Sequence, residues 1–195
     1  MTYTINKSVT EKDLIEGCLK GDRVLQRDLF EQFSPLMLSV CRRYIKERGT
    51  AEEVMIGGFT KVFGKLNQFK SEGSFEGWIR RIMVNESLTW IRKNKTMYLE
   101  VDIDEAYREI DYDAAHTALE VEALMDLIQK LPQGYRTVFN LFAIEGYNHK
   151  EIADQLGINV NTSKSQLSRA RAYLQKELAV LEKETEFKST GNGNS

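Results

Sequence analysis

Proline is scarce in this chain of 195 residues. It occurs twice, at Pro35 and Pro132, which leaves room for long helices with few interruptions. Cysteine is equally rare. Cys18 and Cys41 each fall within an apolar helical pattern, which marks them as reduced, small core residues rather than a disulfide. The two histidines, His116 and His149, are far apart and have no cysteine neighbours, so no zinc site is expected. No group of His, Cys, Asp or Glu has the spacing of a nucleophile or a metal cage, so neither an enzyme nor a cofactor is expected. No apolar run reaches 18 residues, which excludes a membrane-spanning helix. The first residues lack the apolar segment of a secretory signal, and the expected location is the cytoplasm.

What is present is an ordinary apolar share of 42% with a charged share of 29%, slightly high for a globular chain. The net charge of −2 is unpromising for a nucleic-acid binder taken alone. The average conceals segregation. Lys61, Lys65, Lys70, Arg80, Arg81, Arg92, Lys93 and Lys95 crowd one stretch, against Glu72, Glu76 and Glu86. Glu100, Asp102, Asp104, Glu105, Glu109, Asp111 and Asp113 follow, opposed only by Arg108. Residues 161–176 hold Lys164, Arg169, Arg171 and Lys176 with no acid. Two basic blocks flanking an acidic one suit separate partners for separate segments, or solvated helix faces around an acidic linker.

Apolar residues recur at three- and four-residue spacing throughout the first half, which predicts helices. Leu14, Ile15, Cys18 and Leu19 form a first stripe, and Val24, Leu25, Leu29, Phe30 and Phe33 a second. Ser34-Pro35 reads as the cap and first residue of a third helix, carrying Leu36 to Ile45 and ended by Gly49. Thr50 and Glu53 have capping-box spacing for a helix that buries Met55, Phe59, Val62, Phe63, Leu66 and Phe69. Gly57-Gly58 inside it costs about 1 kcal/mol per glycine relative to alanine, a cost that close packing would explain. Ser74 caps a helix bearing Phe75, Trp78, Ile79, Ile82 and Met83. The pattern fails from Thr96 to Thr117, which reads as a linker. A second helical set starts near Leu119, is broken at Pro132, and includes a helix closed by Gly146. The polar end from Glu184 onward predicts disorder. The fold class is therefore all-α: two small helical domains joined by an acidic linker.

The stretch from Asn148 to Arg171 reads as helix, tight turn, helix. Asn148 and Glu151 form a capping box, Ile152, Ala153 and Leu156 face inward, and Gly157 permits the left-handed turn. Leu167, Ala170 and Leu174 carry the inner stripe of the second helix. Its other face bears Lys164, Ser165, Gln166, Ser168 and Arg169, which can reach phosphates and base edges in a major groove. A plain helical hairpin is the competing account.

Leu131-Pro132, Gly146-Tyr147, Lys150-Glu151-Ile152-Ala153 and the run 164–171 closely resemble the promoter-reading region four of extracytoplasmic-function (ECF) sigma factors of bacterial RNA polymerase. Gly21-Asp22, Ala51-Glu52-Glu53-Val54, Phe59-Thr60-Lys61-Val62-Phe63, and Phe69 to Phe75 followed by Trp78, Arg81 and Asn85 resemble region two. Both halves stand in the family's order and spacing. The resemblance implies an N-terminal tail at 1–9, region two at 10–95, an acidic linker at 96–118, region four at 119–183 and a tail at 184–195. Three departures stand out. Ile56-Gly57 replaces a Gln-Glu pair of the polymerase contact, Ser163 replaces an apolar plug of the recognition helix, and Gln166 replaces a common Arg.

The family's function implies a subunit that directs RNA polymerase core to promoters and is held in check by an anti-sigma factor, with an envelope or environmental signal as the expected trigger. Its promoter elements lie about 17 base pairs apart, roughly 55–60 Å. A linker of about 20 residues can stretch about 70 Å. By the resemblance, the duplex distal element would be read by Thr162, Lys164, Ser165, Gln166, Ser168, Arg169 and Arg171. The melted proximal element would be held by Phe69, Lys70, Ser74, Trp78, Arg80, Arg81, Asn85, Arg92 and Lys93. Phe69, Trp78 and Trp90 could equally be core. Polymerase binding would fall on Arg42, Arg43, Glu52, Glu53, Ile56, Lys61 and Lys65. Two alternatives stay open: a stand-alone helix-turn-helix regulator, which would leave the basic, aromatic stretch 69–95 without a role, and a sigma-like interaction module that no longer opens promoters.

Overall fold

The computed structural model of the chain describes residues 10–94 and 121–191, with side chains described at 10–94 and 125–181. The expected linker, the N-terminal tail, His116 and residues 192–195 lie outside the described residues. Within them the fold is all-α, and the chain divides into two compact units, with the division falling between Lys93 and Asn94.

The first unit contains α1 (Glu11–Leu19), α2 (Arg23–Tyr44), α3 (Arg48–Lys65) and α4 (Phe75–Lys93). Helices α2, α3 and α4 pack pairwise, and α1 lies on α2. The core comes from one face of each: Leu29, Phe33, Met37, Val40 and Tyr44 of α2, Met55, Phe59 and Val62 of α3, and Phe75, Ile79, Met83 and Leu88 of α4. Burying side chains of this size contributes about 1.5–3 kcal/mol each. The second unit contains α5 (Val121–Lys130), α6 (Gln133–Phe139), α7 (His149–Leu156) and α8 (Val160–Gly191), with α8 packed on the other three. Leu127, Ile128, Leu131, Ala170 and Leu174 form one cluster of its core. A π-helical segment, Asn140–Ile144, continues α6. The buried Arg136 ties the end of α5 to α6, donating from Nη1 to the Gln129 carbonyl at 3.0 Å and from Nη2 to Gln133 Oε1.

Three expectations need correction. Ser34-Pro35 starts no helix, because α2 runs unbroken through Pro35. Its buried positions keep three- and four-residue spacing across the proline, and Pro35 is exposed, so water can reach the Glu31 carbonyl that lacks its amide partner. Thr50 is not the cap of α3 and Gly49 does not end the preceding helix. Ile45, extended and buried, ends α2, and the Glu47 carboxylate caps α3 by accepting from the amides of Gly49 (2.7 Å) and Thr50. Those bonds, with one from the Thr50 side chain as the largest, hold the Glu47 carboxyl below its ordinary range. Finally, α8 continues to Gly191, past residue 183. No helix breaker intervenes, and Glu184 stands four residues before Lys188, a helix-supporting spacing.

The glycine pair has a split explanation. A β-carbon at Gly58 would stand 2.4 Å from Met83 Sδ, whereas one at Gly57 would meet open space. Gly57→Ala should therefore stabilise the first unit by about 1 kcal/mol through helix propensity. Gly58→Ala should lose about 1 kcal/mol net by forcing buried Met83 to repack, and the loss should shrink in a Met83→Ala background. Denaturant unfolding followed by tryptophan fluorescence checks this, since Trp78 and Trp90 both belong to the first unit.

Candidate nucleic-acid interface

In the first unit the chain leaves α3 through a single 3-10 turn, Leu66–Gln68, and reaches α4 by a short loop. Ser71 (φ 58) and Gly73 (φ 104) adopt left-handed conformations in this loop, which for a non-glycine residue costs about 1–2 kcal/mol. Ser74 ends it, with Oγ accepting from the Gly77 amide at 3.3 Å. Between loop and helix lies a pocket of about 390 Å³ lined by Gln68, Phe69, Lys70, Glu72, Ser74, Gly77, Trp78 and Arg81.

The aromatic walls of this pocket are the outer layer of the core. Phe75 has no exposed surface and meets Phe33 edge-on, with centroids 5.6 Å apart. Half-buried Phe69 (5.0 Å) and Trp78 (5.9 Å, interplanar angle 13°) also pack on Phe75. Phe69 and Trp78 also touch each other at 5.6 Å. Both are therefore core residues and pocket walls at once. With Lys70 and Arg81 on the rim, the pocket offers π-faces beside positive charge, which suits an unstacked base and its phosphate.

Of the expected region-two residues, the structure brings Phe69, Lys70, Ser74, Trp78 and Arg81 to one pocket. It does not bring Asn85 there: Asn85 is exposed one turn beyond Arg81 along α4, and Arg92 and Lys93 are exposed at that helix's end. Arg80 is half-buried. Gln68 and Gly77 line the pocket without having been expected, and Glu72 lies within the stretch from Phe69 to Phe75 that carries the region-two resemblance. The i, i+4 spacing of Gly77 and Arg81 was the one signal that could have pointed to Gly77.

The outer face of α3 exposes Glu53, Ile56, Gly57, Thr60 and Lys65, with Ile56 at 55% exposure a sizeable apolar side chain in water. Glu52 is half-buried and paired with Arg48 at 2.8 Å. Lys61 reaches Glu86 of α4 at 2.6 Å. Arg42 is exposed and Arg43 half-buried in the last turn of α2.

In the second unit the expected capping box of α7 is present. Asn148 Oδ1 accepts from the Lys150 and Glu151 amides, and Glu151 Oε2 accepts from the Asn148 amide at 2.8 Å. Gly157 ends α7 at φ 65, ψ 39, the left-handed conformation glycine adopts without penalty. Asn159 Oδ1 then accepts from the Thr162 amide at 2.7 Å as α8 begins.

The start of α8 sorts its side chains into sectors. Lys164, Ser165, Ser168 and Arg171 are exposed along one stripe. Gln166 and Arg169 are half-buried and turn toward α6. A β-carbon at Gly134 would stand 3.2 Å from Gln166 Nε2, and Arg169 Nη1 donates to the Tyr135 hydroxyl at 3.4 Å. Thr162 is half-buried, and its carbonyl accepts from Ser165 Oγ. Arg171 also lies over the Phe142 ring, 5.6 Å from its centroid.

Ser163, where the family resemblance expects an apolar plug, is fully buried but not orphaned. Its Oγ lies 3.0 Å from Nδ1 of His149, the first residue of α7. The His149 ring stacks on Phe142 at 4.8 Å. Sequence reasoning passed over His149 because a lone histidine carries no spacing signal. Burial lowers its pKa below the ordinary 6.5, helped by the charges of Lys164 and Arg171.

The comparisons with known proteins agree in both halves. Residues 29–96 match the family described as Sigma-70 region 2, and residues 121–174 the family described as Sigma-70, region 4. The ECF RNA polymerase sigma factor SigW of Bacillus subtilis is 28% identical, over 87% of this chain and 97% of its own length. The ECF RNA polymerase sigma-E factors of Haemophilus influenzae and of Escherichia coli K12 are each 24% identical, over 90% and 91% of this chain and 98% of their own. Among solved structures, the sigma factor RpoE in complex with the anti-sigma factor NepR from Bartonella quintana matches 79% of this chain and 96% of its own at 21% identity, with a TM-score of 0.48.

Ser163→Ala should remove the partner of His149 Nδ1 and cost the second unit about 1 kcal/mol in calorimetric unfolding. The pH dependence has a definite sign. The His149 pKa is lowered by folding, so the unfolded chain binds more protons below about 6.5, and the second unit should weaken as pH falls through that value. With these two matches in family order and relatives aligned along nearly its whole length, the chain belongs to the sigma-70 family, and within it to the ECF sigma factors.

Proposed function

We propose that this chain is a promoter-recognition subunit that docks on RNA polymerase core in the cytoplasm, directs it to specific promoters and starts transcription there. One observation carries the reading most. A single chain holds two differently built basic surfaces: an aromatic-walled pocket fit for an unstacked base, and a helix-turn-helix stripe fit for duplex. A stand-alone regulator would have no use for the first.

In this reading Phe69, Trp78, Lys70, Arg81 and Ser74 hold a base of the melted proximal element, and Arg80, Asn85, Arg92 and Lys93 extend the strand's path along α4. Lys164, Ser165, Ser168 and Arg171 meet the duplex distal element from the exposed stripe of α8. Thr162, Gln166 and Arg169 support that face from its flank. Polymerase docks on the outer face of α3, through Glu53, Ile56 and Lys65, with Glu52, Lys61, Arg42 and Arg43 around it. Exposed Ile56 beside bare Gly57 supports an apolar contact there in place of the family's polar pair. The inhibitor expected from family membership is an anti-sigma factor.

Run-off transcription with purified core polymerase on a library of genomic promoters tests the proposal. The wild-type chain should join the core and start transcripts at a defined set of sites. Phe69→Ala should weaken initiation by about 1–3 kcal/mol, roughly 5- to 150-fold, with core binding unchanged. Lys164→Ala should lower promoter affinity and reduce the slope of log affinity against log salt by about one. Failure both to join the core and to start transcripts at any site would refute the reading.

A further inference from the structure

His149 and Ser163 together are more than a repaired core. Ser163 is fully buried, and the only side-chain bond at its hydroxyl that the geometry describes is the one to His149 Nδ1 at 3.0 Å. An apolar residue would fill the same space without demanding a partner. A hydroxyl does something an apolar plug cannot: it serves both protonation states of the ring. Beside a neutral imidazole it can donate to Nδ1 or accept from it. Beside an imidazolium, which carries hydrogen on both nitrogens, it accepts.

The surroundings of the ring link it to the outer face of α8. On one side Phe142 stacks against it at 4.8 Å, and Arg171 lies over the same Phe142 ring at 5.6 Å. The charged groups that act on the imidazole are Lys164 and Arg171, both from α8 and both exposed. The π-helical segment contributes the uncharged Phe142. On its own helix, Glu151 is bonded to the Asn148 amide at 2.8 Å. In the free protein, burial first and the two cations second disfavour a proton on the ring. A nucleic-acid phosphate drawn to those cations would offset the part of that bias the cations supply.

We propose that His149 is a proton-coupled positioning residue of the DNA-contacting face: when phosphates close over Lys164 and Arg171, the imidazole takes up one proton from solvent, and duplex binding strengthens as pH falls. Ser163 retains the ring in both states, so the start of α7 and the stripe of α8 keep their register throughout. The inference rests on the reading of α8 as the duplex-facing helix. It also separates two effects of acid. Falling pH weakens the free second unit, because its folded state resists the proton, and strengthens the complex, which welcomes it.

The test uses the full chain and a fluorescent random-sequence duplex of about 30 base pairs at low salt, where phosphate contacts dominate. Anisotropy titrations from about pH 8 to about pH 5.5 give affinity against pH. In parallel, the His149 ring resonance is followed by NMR with and without duplex. The wild type should gain affinity as pH falls, about tenfold for each unit by which duplex raises the His149 midpoint. His149→Asn, which keeps a hydrogen-bonding group near the Nδ1 position but cannot titrate, should lose that gain while His116 remains as an internal control. An unchanged pH slope in His149→Asn overturns the inference and leaves the promoter-reading function standing. So does a His149 midpoint that duplex leaves unmoved, a measurement that needs no variant. Absence of any duplex binding at any pH would instead sink the reading of α8, and the inference with it.

Discussion

Phe75 has no surface in water, and its ring is met by Phe33 from α2 and by Phe69 and Trp78, which line the pocket. Everything the first unit can offer a nucleic-acid strand depends on this contact. The loop before α4 contains a left-handed serine and a left-handed glycine and has few backbone bonds of its own to hold it. Aromatic pairs contribute about 0.5–1.5 kcal/mol each beyond the area they bury. Four such pairs sharing four rings hold Phe69 and Trp78 in place, and the basic rim is positioned by what they stand on. A site built as the rim of a core is ordered before any ligand arrives, so the ordering cost is met in folding rather than in binding.

The two surfaces use charge differently from what the count of basic residues suggests. Lys61 is engaged with Glu86, Arg169 with Tyr135, and Arg171 with the face of Phe142. The ion pair, typically worth under about 1 kcal/mol near a surface, contributes little to stability. The effect of these contacts is on position: they fix where the Lys61, Arg169 and Arg171 side chains lie, while Lys70, Arg81, Lys164 and Arg171 are all exposed. A net charge of −2 and a chain that handles nucleic acid are compatible because the positive charge is placed rather than abundant.

Much of this was legible from residue order alone, for identifiable reasons. The helix-turn-helix announced itself because its signals are local: Asn148 and Glu151 close a box within four residues, and Gly157 is needed at a turn only glycine tolerates well. The inner stripe Leu167, Ala170 and Leu174 followed from period. Where tertiary packing decided, local signals misled. Ser34-Pro35 has the look of a helix start, yet the apolar face of α2 continues across it. Thr50 and Glu53 have capping spacing, yet Glu47 takes the role from outside the expected window. Arg169 and Gln166 belong to the basic helix by sequence but turn toward α6, because Tyr135 offers a hydroxyl and Gly134 offers room. The pocket's Gln68 and Gly77 come together only when the loop folds over α4, which no spacing rule encodes. His149 was invisible until its partner Ser163 was seen to be buried.

Helix α8 carries its duties on opposite sides of one rod. Leu167, Ala170 and Leu174 have at most 5% exposure, and Ala170 has none, so a larger side chain there would push α8 off its neighbours. Lys164, Ser165 and Ser168 are exposed, and surface substitutions usually change stability by less than about 0.5 kcal/mol. Mutation can therefore explore new outward chemistry on this helix almost without endangering the fold beneath it. Descendants of such a chain are free to drift toward different target sequences while their architecture stays put.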